Sequence, residues 1–261
     1  MPRRRLDTEL VRRGLASSPD EAAAAVRAGL VTVGGGPALN EAALVAPDQP
    51  VHLRVPARRF ASRGGEKLDA ALSRFAVDPA GSGCLDAGAS TGGFTDRLLR
   101  GGAAGVIAVD VGYGQLAWAL RTDDRVTVFE RTNVRDLRPG DLPFAPSVVT
   151  ADLSFASLVT AAPALVRLAA PGADLVLLVK PQFETPSSEV PPGGVIRDRE
   201  AWRAAIERVA AACDAAGAGA LAAMPSPIRG PAGNVEFLLH ARAGAPPALL
   251  DGAAVVEEVP A

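Results

Sequence analysis

LDAGASTGGFT, residues 85–95, decides the fold. It follows a short apolar run, Cys84–Leu85, and opens a helical stretch from Phe94 to Arg100. Glycines in such a turn let the backbone approach a ligand closely, and a helix behind them offers unpaired N–H groups. The loop has neither strict GxGxxG spacing nor the GK[ST] of a triphosphate loop. Twenty-two residues after Gly88, the run Val106–Asp110 ends in an acid, where a carboxylate would accept hydrogen bonds from ribose hydroxyls. Loop and acid together point to an adenosine-containing cofactor. By themselves they leave a dinucleotide and S-adenosylmethionine both open.

Outward from this loop, short apolar runs alternate with helical stretches, the pattern of a parallel sheet covered on both faces. The strand runs are Cys84–Leu85, Val106–Asp110, Val126–Phe129, Val148–Ala151, Leu175–Val179, Leu221–Met224 and Val235–His240. The helices are Glu66–Phe75, Phe94–Arg100, Leu116–Leu120, Ser157–Leu168 and Arg199–Ala216, and beyond Ala241 the chain reads as a strand and helix remnant or a frayed tail. Seven strands fit a doubly wound α/β sheet. The first residues differ: Leu6, Leu10 and Val11 form a helical stripe that Gly14 should stop, and Ser18-Pro19 with Glu21 is a capping signal for a second helix. Leu30–Val33 and Val51–Val55 read as strands and Gly34–Pro37 as a turn, giving a small α+β module. The expected division is residues 1–55 for the module, 56–65 for a linker and 66–261 for the sheet domain.

Of 261 residues 48% are hydrophobic and 21% charged, with mean hydropathy +0.18, which excludes disorder as the main state. No run approaches a membrane span, and MPRRRLDTEL turns acidic where an export signal turns apolar, so the cytoplasm is the expected compartment. Cys84 and Cys213 stand apart without metal-ligand spacing, so no disulfide framework and no metal site are expected. Through Phe75 eleven Arg and one Lys face eight acids, although the whole chain carries −2; the basic front end is the candidate nucleic-acid face. Only two of the 27 basic residues are lysines, Lys67 and Lys180. A chain that uses arginine wherever permanent charge suffices keeps lysine where a proton has to be released or taken up.

Asp152 and Lys180 directly follow two strand runs, and so lie at carboxyl ends of strands, where open α/β sheets place their chemistry. Glu236 begins the last run and reaches the same edge if that strand is antiparallel. Lys67 opens the helix before the glycine loop, in SRGGEKLDAAL, residues 62–72.

At this point the chain resembles the TlyA ribosomal RNA 2′-O-methyltransferases over nearly its whole length. The matching segments are RRRLDTELVRRGLA (3–16), SRGGEKL (62–68), CLDAGASTGGFTD (84–96), VDVGYGQLAWALR (109–121), ERTNVRDL (130–137), ADLSFASL (151–158), LVKPQFE (178–184) and AGNVEF (232–237). The resemblance implies an RNA-binding module of the small-subunit ribosomal protein type. Behind it would stand a Rossmann-like S-adenosylmethionine methyltransferase domain of the FtsJ-like kind. It also implies a Lys-Asp-Lys-Glu tetrad, carried onto Lys67, Asp152, Lys180 and Glu236. S-adenosylmethionine would lie against Asp86, Gly88, Ser90, Gly92 and Gly93, with Asp110 at its ribose and Asn133 at its adenine edge. Arg3, Arg4, Arg5, Arg12, Arg13 and Arg63 would contact RNA. The implied substrate is the ribose, of a cytidine, in ribosomal RNA of assembled subunits, methylated by a monomer.

The chain departs from the family pattern at Ser18-Pro19, where relatives carry a basic residue, in ETPSSEVPPGG (184–194), acidic where a Gly/Lys-rich loop is common, and in the linker ARRFASRG (57–64). Lys180 is the expected general base. Asp152-Leu-Ser-Phe155 does not match the Asn/Asp-Pro-Pro-aromatic loop of amino-directed enzymes, and neither cysteine is placed as a nucleophile for carbon methylation. A nicotinamide oxidoreductase is disfavoured by the loop spacing. A membrane-active hemolysin, a label attached to this family, is disfavoured by the lack of any amphipathic or spanning segment.

Overall fold

The computed structural model describes residues 3–16, 18–54 and 59–260, in two compact units, Met1–Arg58 and Arg59–Ala261. Val55 and residues 56–58 of the expected strand end and linker lie outside the described residues. From Arg59 onward the chain already belongs to the second unit, so the expected linker is too long at its far end. The reason is local: Phe60 is buried against Gly65, and the Ala61 N–H donates to Asp96 Oδ2 at 2.8 Å.

In the first unit β1 (Arg4–Arg5) leads into α1 (Leu6–Arg12), and α2 (Pro19–Arg27) packs beside it. Ser18 caps α2 by accepting the Glu21 N–H at 3.2 Å, and Gly14 takes φ +69° just past α1. Both features follow the signals in the sequence. Strands β2 (Val31–Val33), β3 (Gly36–Pro37), β4 (Leu44–Val45) and β5 (Val51–Leu53) complete the unit, with sheet order β3-β2-β5 and a separate β1-β4 pair. Leu6, Leu10, Ala22, Val26, Val31 and Val51 form its core.

The second unit runs α3 (Gly64–Phe75), β6 (Gly83–Ala87), α4 (Gly93–Arg100), β7 (Gly105–Val109), α5 (Trp118–Arg121), β8 (Val126–Phe129), β9 (Val148–Ala151), α6 (Leu158–Leu168), β10 (Asp174–Val179), α7 (Pro181–Glu184), α8 (Arg199–Ala215), β11 (Ala218–Pro225), β12 (Phe237–Ala243) and α9 (Gly252–Glu257). The sheet order is β11-β12-β10-β9-β6-β7-β8. β12 is antiparallel to both neighbours, while β10, β9, β6, β7 and β8 are mutually parallel. The sheet is therefore a Rossmann-like one with an antiparallel strand inserted near one edge. The tail is a docked helix: Val255 and Val256 of α9 are buried.

Alternation along each strand divides the core between two faces. Leu175, Leu177 and Val179 join Ile107 and Val149 under α6 and α8, whereas Val176 and Leu178 join Val106 and Val148 under α3 and α4. Strands buried on both faces read as continuous apolar runs, which is why no polar alternation marked them. The order changes direction at β6, with β7 on one side and β9 on the other, and this switch point opens a crevice at the carboxyl ends.

Candidate active site

A cleft of about 300 Å³ occupies that crevice, lined among others by Gly88, Ser90, Asp110, Asn133, Asp152 and Phe155. Each follows a strand end: Gly88 and Ser90 after β6, Asp110 after β7, Asn133 after β8, Asp152 and Phe155 after β9. Gly88 has φ +82°, and a Cβ there would stand 2.4 Å from the Asp152 carbonyl oxygen, so only glycine lets the two loops meet. Both Asp110 oxygens accept backbone N–H groups, from Ser90 at 2.7 Å and Gly112 at 2.7 Å. The Asn133 side chain caps a short helical turn by accepting the Arg135 N–H at 3.1 Å.

Three expected cofactor residues do not line this cleft. Gly92 and Gly93 serve packing: a Cβ at Gly92 would meet Leu120 at 2.2 Å, and one at Gly93 would meet Ser62 Oγ at 2.1 Å. Asp86 is wholly buried on the opposite face from Leu85 and Ala87, because alternation turns it toward α4. It accepts from Thr95 Oγ1 at 2.7 Å, and burial pushes its carboxyl up to about 7. Asp86 thus supports the glycine loop from beneath and does not reach the cleft.

The four charged residues meet at the edge of this crevice by register. β10 and β12 pair Val179 with Phe237, so the next position along faces Lys180 with Glu236. β9 and β10 pair Ala151 with Leu177, which puts Asp152 one strand away. Lys180 Nζ lies 2.5 Å from Asp152 Oδ1 and donates to Ser154 Oγ at 3.1 Å. Lys67, from the first turn of α3, forms the second ion pair with Glu236. Both lysine side chains and Glu236 are buried. A buried charge is tolerated only with a partner, and here each lysine has one.

Several residues at this edge carried no role in the sequence reading. Ser154 holds Lys180, and Phe155 sits at φ +59° and is 93% exposed at the cleft, its ring 5.5 Å from that of Phe183. Glu184 accepts from Ser157 Oγ and, at 2.7 Å, from the Leu158 N–H. Asn234 accepts the Ile196 N–H and donates to the Gly194 carbonyl, both at 2.9 Å, so it ties the acidic loop to the approach of β12. Their positions inside ADLSFASL, LVKPQFE and AGNVEF were the available signal.

In the first unit Arg3 and Arg4 are exposed, and among the described residues neither has an ion-pair partner. Arg5 is paired with Asp7 at 2.6 Å. Glu9 binds Arg12 and Arg13, which hold its carboxyl down to about 2. Arg13 also donates to the Gln49 and Pro47 carbonyls, both at 3.0 Å, and so is tied down as a structural brace. Arg63, in the second unit, is exposed just ahead of α3.

This fold and this site define an α/β methyltransferase domain, with an RNA-binding domain ahead of it in the chain. Residues 60–243 match the FtsJ-like methyltransferase model and residues 4–51 the S4 domain model. The chain belongs to the FtsJ-like methyltransferases, within their TlyA group. It is 49% identical to the 16S/23S rRNA (cytidine-2′-O)-methyltransferase TlyA of Mycobacterium tuberculosis, over 92% of this chain and 90% of that one. It is 35% identical to Hemolysin A of Brachyspira hyodysenteriae, over 90% of this chain and 98% of that one. A solved structure from Streptococcus thermophilus with a hemolysin name superposes with TM-score 0.76 at 36% identity, covering 98% of this chain and 95% of that one. No helix among the described residues is long and apolar enough to cross a membrane.

Proposed function

We propose that this chain transfers a methyl group from S-adenosylmethionine to the ribose 2′-hydroxyl of a cytidine in ribosomal RNA, acting on ribosomal subunits in the cytoplasm. The observation that carries the reading is the use of the chain's only two lysines, both buried, in two ion pairs, Lys180–Asp152 and Lys67–Glu236, beside a cleft that Asp152 lines. The cleft suits the cofactor in size and in chemistry: a glycine approach at Gly88, an acidic acceptor at Asp110 and an amide at Asn133.

When bound, the cofactor supplies an electrophilic methyl group on a sulfonium. A ribose hydroxyl is a poor nucleophile, so its proton must leave as the new O–C bond forms. Lys180 acts as the neutral amine, after its ammonium has given one proton to solvent: Nζ takes the proton from the 2′-oxygen, and Asp152 and Ser154 aim the amine. The 2′-oxygen keeps the methyl that the cofactor would supply on leaving as a neutral thioether, and Lys180 releases its proton to solvent after product leaves. Lys67, held by Glu236, supplies a fixed positive charge for the developing oxyanion. Residues 1–55 serve RNA binding, and the unit that begins at Arg59 serves the chemistry. Arg3, Arg4, Arg5, Arg12 and Arg63 supply phosphate contacts that position without reading sequence.

The test is methyl transfer from labelled S-adenosylmethionine to purified unmodified subunits, followed by digestion to nucleosides. Label in 2′-O-methylcytidine supports the reading. Label on a base, or none, overturns it.

A further inference from the structure

The loop that carries Asp152 and the turn that follows Lys180 come from different strands, yet the pair between them needs them held together to a fraction of an ångström. Residues 152–157 leave β9 and pass through Phe155, a bulky residue held at φ +59°, a conformation that L side chains rarely adopt. Such a backbone persists only where its surroundings over-determine it. On one side of Phe155, Ser154 is bound by Lys180. On the other side, Ser157 and the start of α6 are bound by a single side chain, Glu184.

Glu184 is 8% exposed and closes α7, the one-turn helix for which Lys180 is the preceding cap residue. Oε2 accepts from Ser157 Oγ and Oε1 from the Leu158 N–H at 2.7 Å, while Ser157 Oγ in turn accepts the Val159 N–H at 3.1 Å. A carboxylate at the start of the 11-residue helix α6 is well placed against its N–H groups. Little else polar shapes the turn: the side-chain oxygens of its neighbours Gln182 and Thr185 are buried and have no hydrogen-bond partner among the described residues. The two segments that bear Asp152 and Lys180 are thus braced on both sides of Phe155, by Lys180 to Asp152 and Ser154 and by Glu184 to Ser157 and Leu158.

We infer that Glu184 is a positioning residue for the Lys180–Asp152 pair, bracing the loop after β9 against the turn after β10; the inference rests on the methyl transfer proposed above. The brace works through hydrogen bonds, so a glutamine, whose amide oxygen accepts from Leu158 while its amide N–H donates to Ser157, keeps it. Alanine removes it.

The experiment compares Glu184→Ala, Glu184→Gln and Ser157→Ala by single-turnover methyl transfer at saturating S-adenosylmethionine, with affinity for S-adenosylhomocysteine measured on the same preparations. Glu184→Ala is expected to lose about 100-fold in rate, the scale of an ångström misplacement, with affinity within about twofold of wild type. Ser157→Ala loses less, and Glu184→Gln stays within about threefold. Glu184→Gln as slow as Glu184→Ala, or Glu184→Ala at the wild-type rate, overturns the inference. Should Glu184→Ala not fold, the other two variants decide: Ser157→Ala must be slower than Glu184→Gln. Wild-type protein that leaves ribose unmethylated overturns the functional reading alone. Amide exchange then decides the brace: faster exchange over residues 152–158 in the variant that lacks the hydrogen bonds, with β9 and β10 unchanged, supports it, and unchanged exchange overturns it.

Discussion

The two ends of β10 each carry a cluster of charged and polar residues, and the two clusters differ in burial and in place. At the amino end Asp174 Oδ1 lies 2.8 Å from His240 Nε2 and 2.8 Å from Arg242 Nη2, and the His240 ring stacks on Phe75 at 5.3 Å. Asp174 and Arg242 are register partners across the β10–β12 ladder. That cluster is a cross-strand pair, the ordinary unit of sheet stabilisation. At the carboxyl end Lys180, Asp152 and Glu236 lie just past the last paired residues, where the backbone has left the ladder and a cleft begins. The amino-end cluster sits on the ladder with Arg242 half exposed, whereas at the carboxyl end both lysines are buried, Lys180 just past its strand, beside the cleft where the methyl transfer is proposed.

Lys180→Arg breaks the comparison most sharply. Arginine keeps the charge but does not give up its proton, so the single-turnover rate is expected to fall about 10²–10⁴-fold while cofactor affinity holds. A rate within about threefold of wild type would reduce Lys180 to an electrostatic group, like its counterparts at the other end.

Asp110→Ala tests the cleft itself. Loss of a carboxylate acceptor worth about 1.5–3 kcal/mol is expected to weaken S-adenosylhomocysteine binding roughly 10- to 100-fold, read by calorimetry.

Asp174→Asn sharpens the contrast from the amino end. It should lower stability by about 1 kcal/mol in a denaturant titration and leave the methyl-transfer rate unchanged. A large loss of rate would mean that the two ends are coupled.

Asp86→Asn gives the smallest effect and depends on pH. Burial raises the Asp86 carboxyl to about 7 in the folded chain, so the folded state holds a proton that the unfolded state has released. Wild-type stability from this group is complete below about 4 and declines as pH rises to about 7. The neutral asparagine does not decline, so its melting temperature should gain on wild type between pH 5 and pH 8. Parallel curves would mean that Asp86 titrates normally.

The glycine loop, the seven strands and the edge bearing Asp152, Lys180 and Glu236 were legible because each rests on local pattern: glycine where the backbone must turn, apolar runs for doubly buried strands, polar residues at their ends. The scarcity of lysine even singled out Lys67 and Lys180. Asp86, Gly92 and Gly93 do not line the cleft, because a loop motif names neighbours along the chain while strand alternation sends Asp86 to the α4 face and the two glycines pack against Leu120 and Ser62. Glu184 and Asn234 lacked a role because their partners lie 26 and 38 residues away.

By itself the sequence determined which residues end strands, where glycine was required and where the two lysines stand among 25 arginines. Those are properties of one segment and its own backbone. Only the tertiary structure decided the partners: that Lys67 pairs with Glu236 across 169 residues, that Arg13 is tied to the Gln49 and Pro47 carbonyls, and that β12 runs antiparallel. The physical reason is that an ion pair or a buried carboxylate is set by the register and crossing of elements distant in the chain. Register is the outcome of packing the whole core, and no local pattern encodes it.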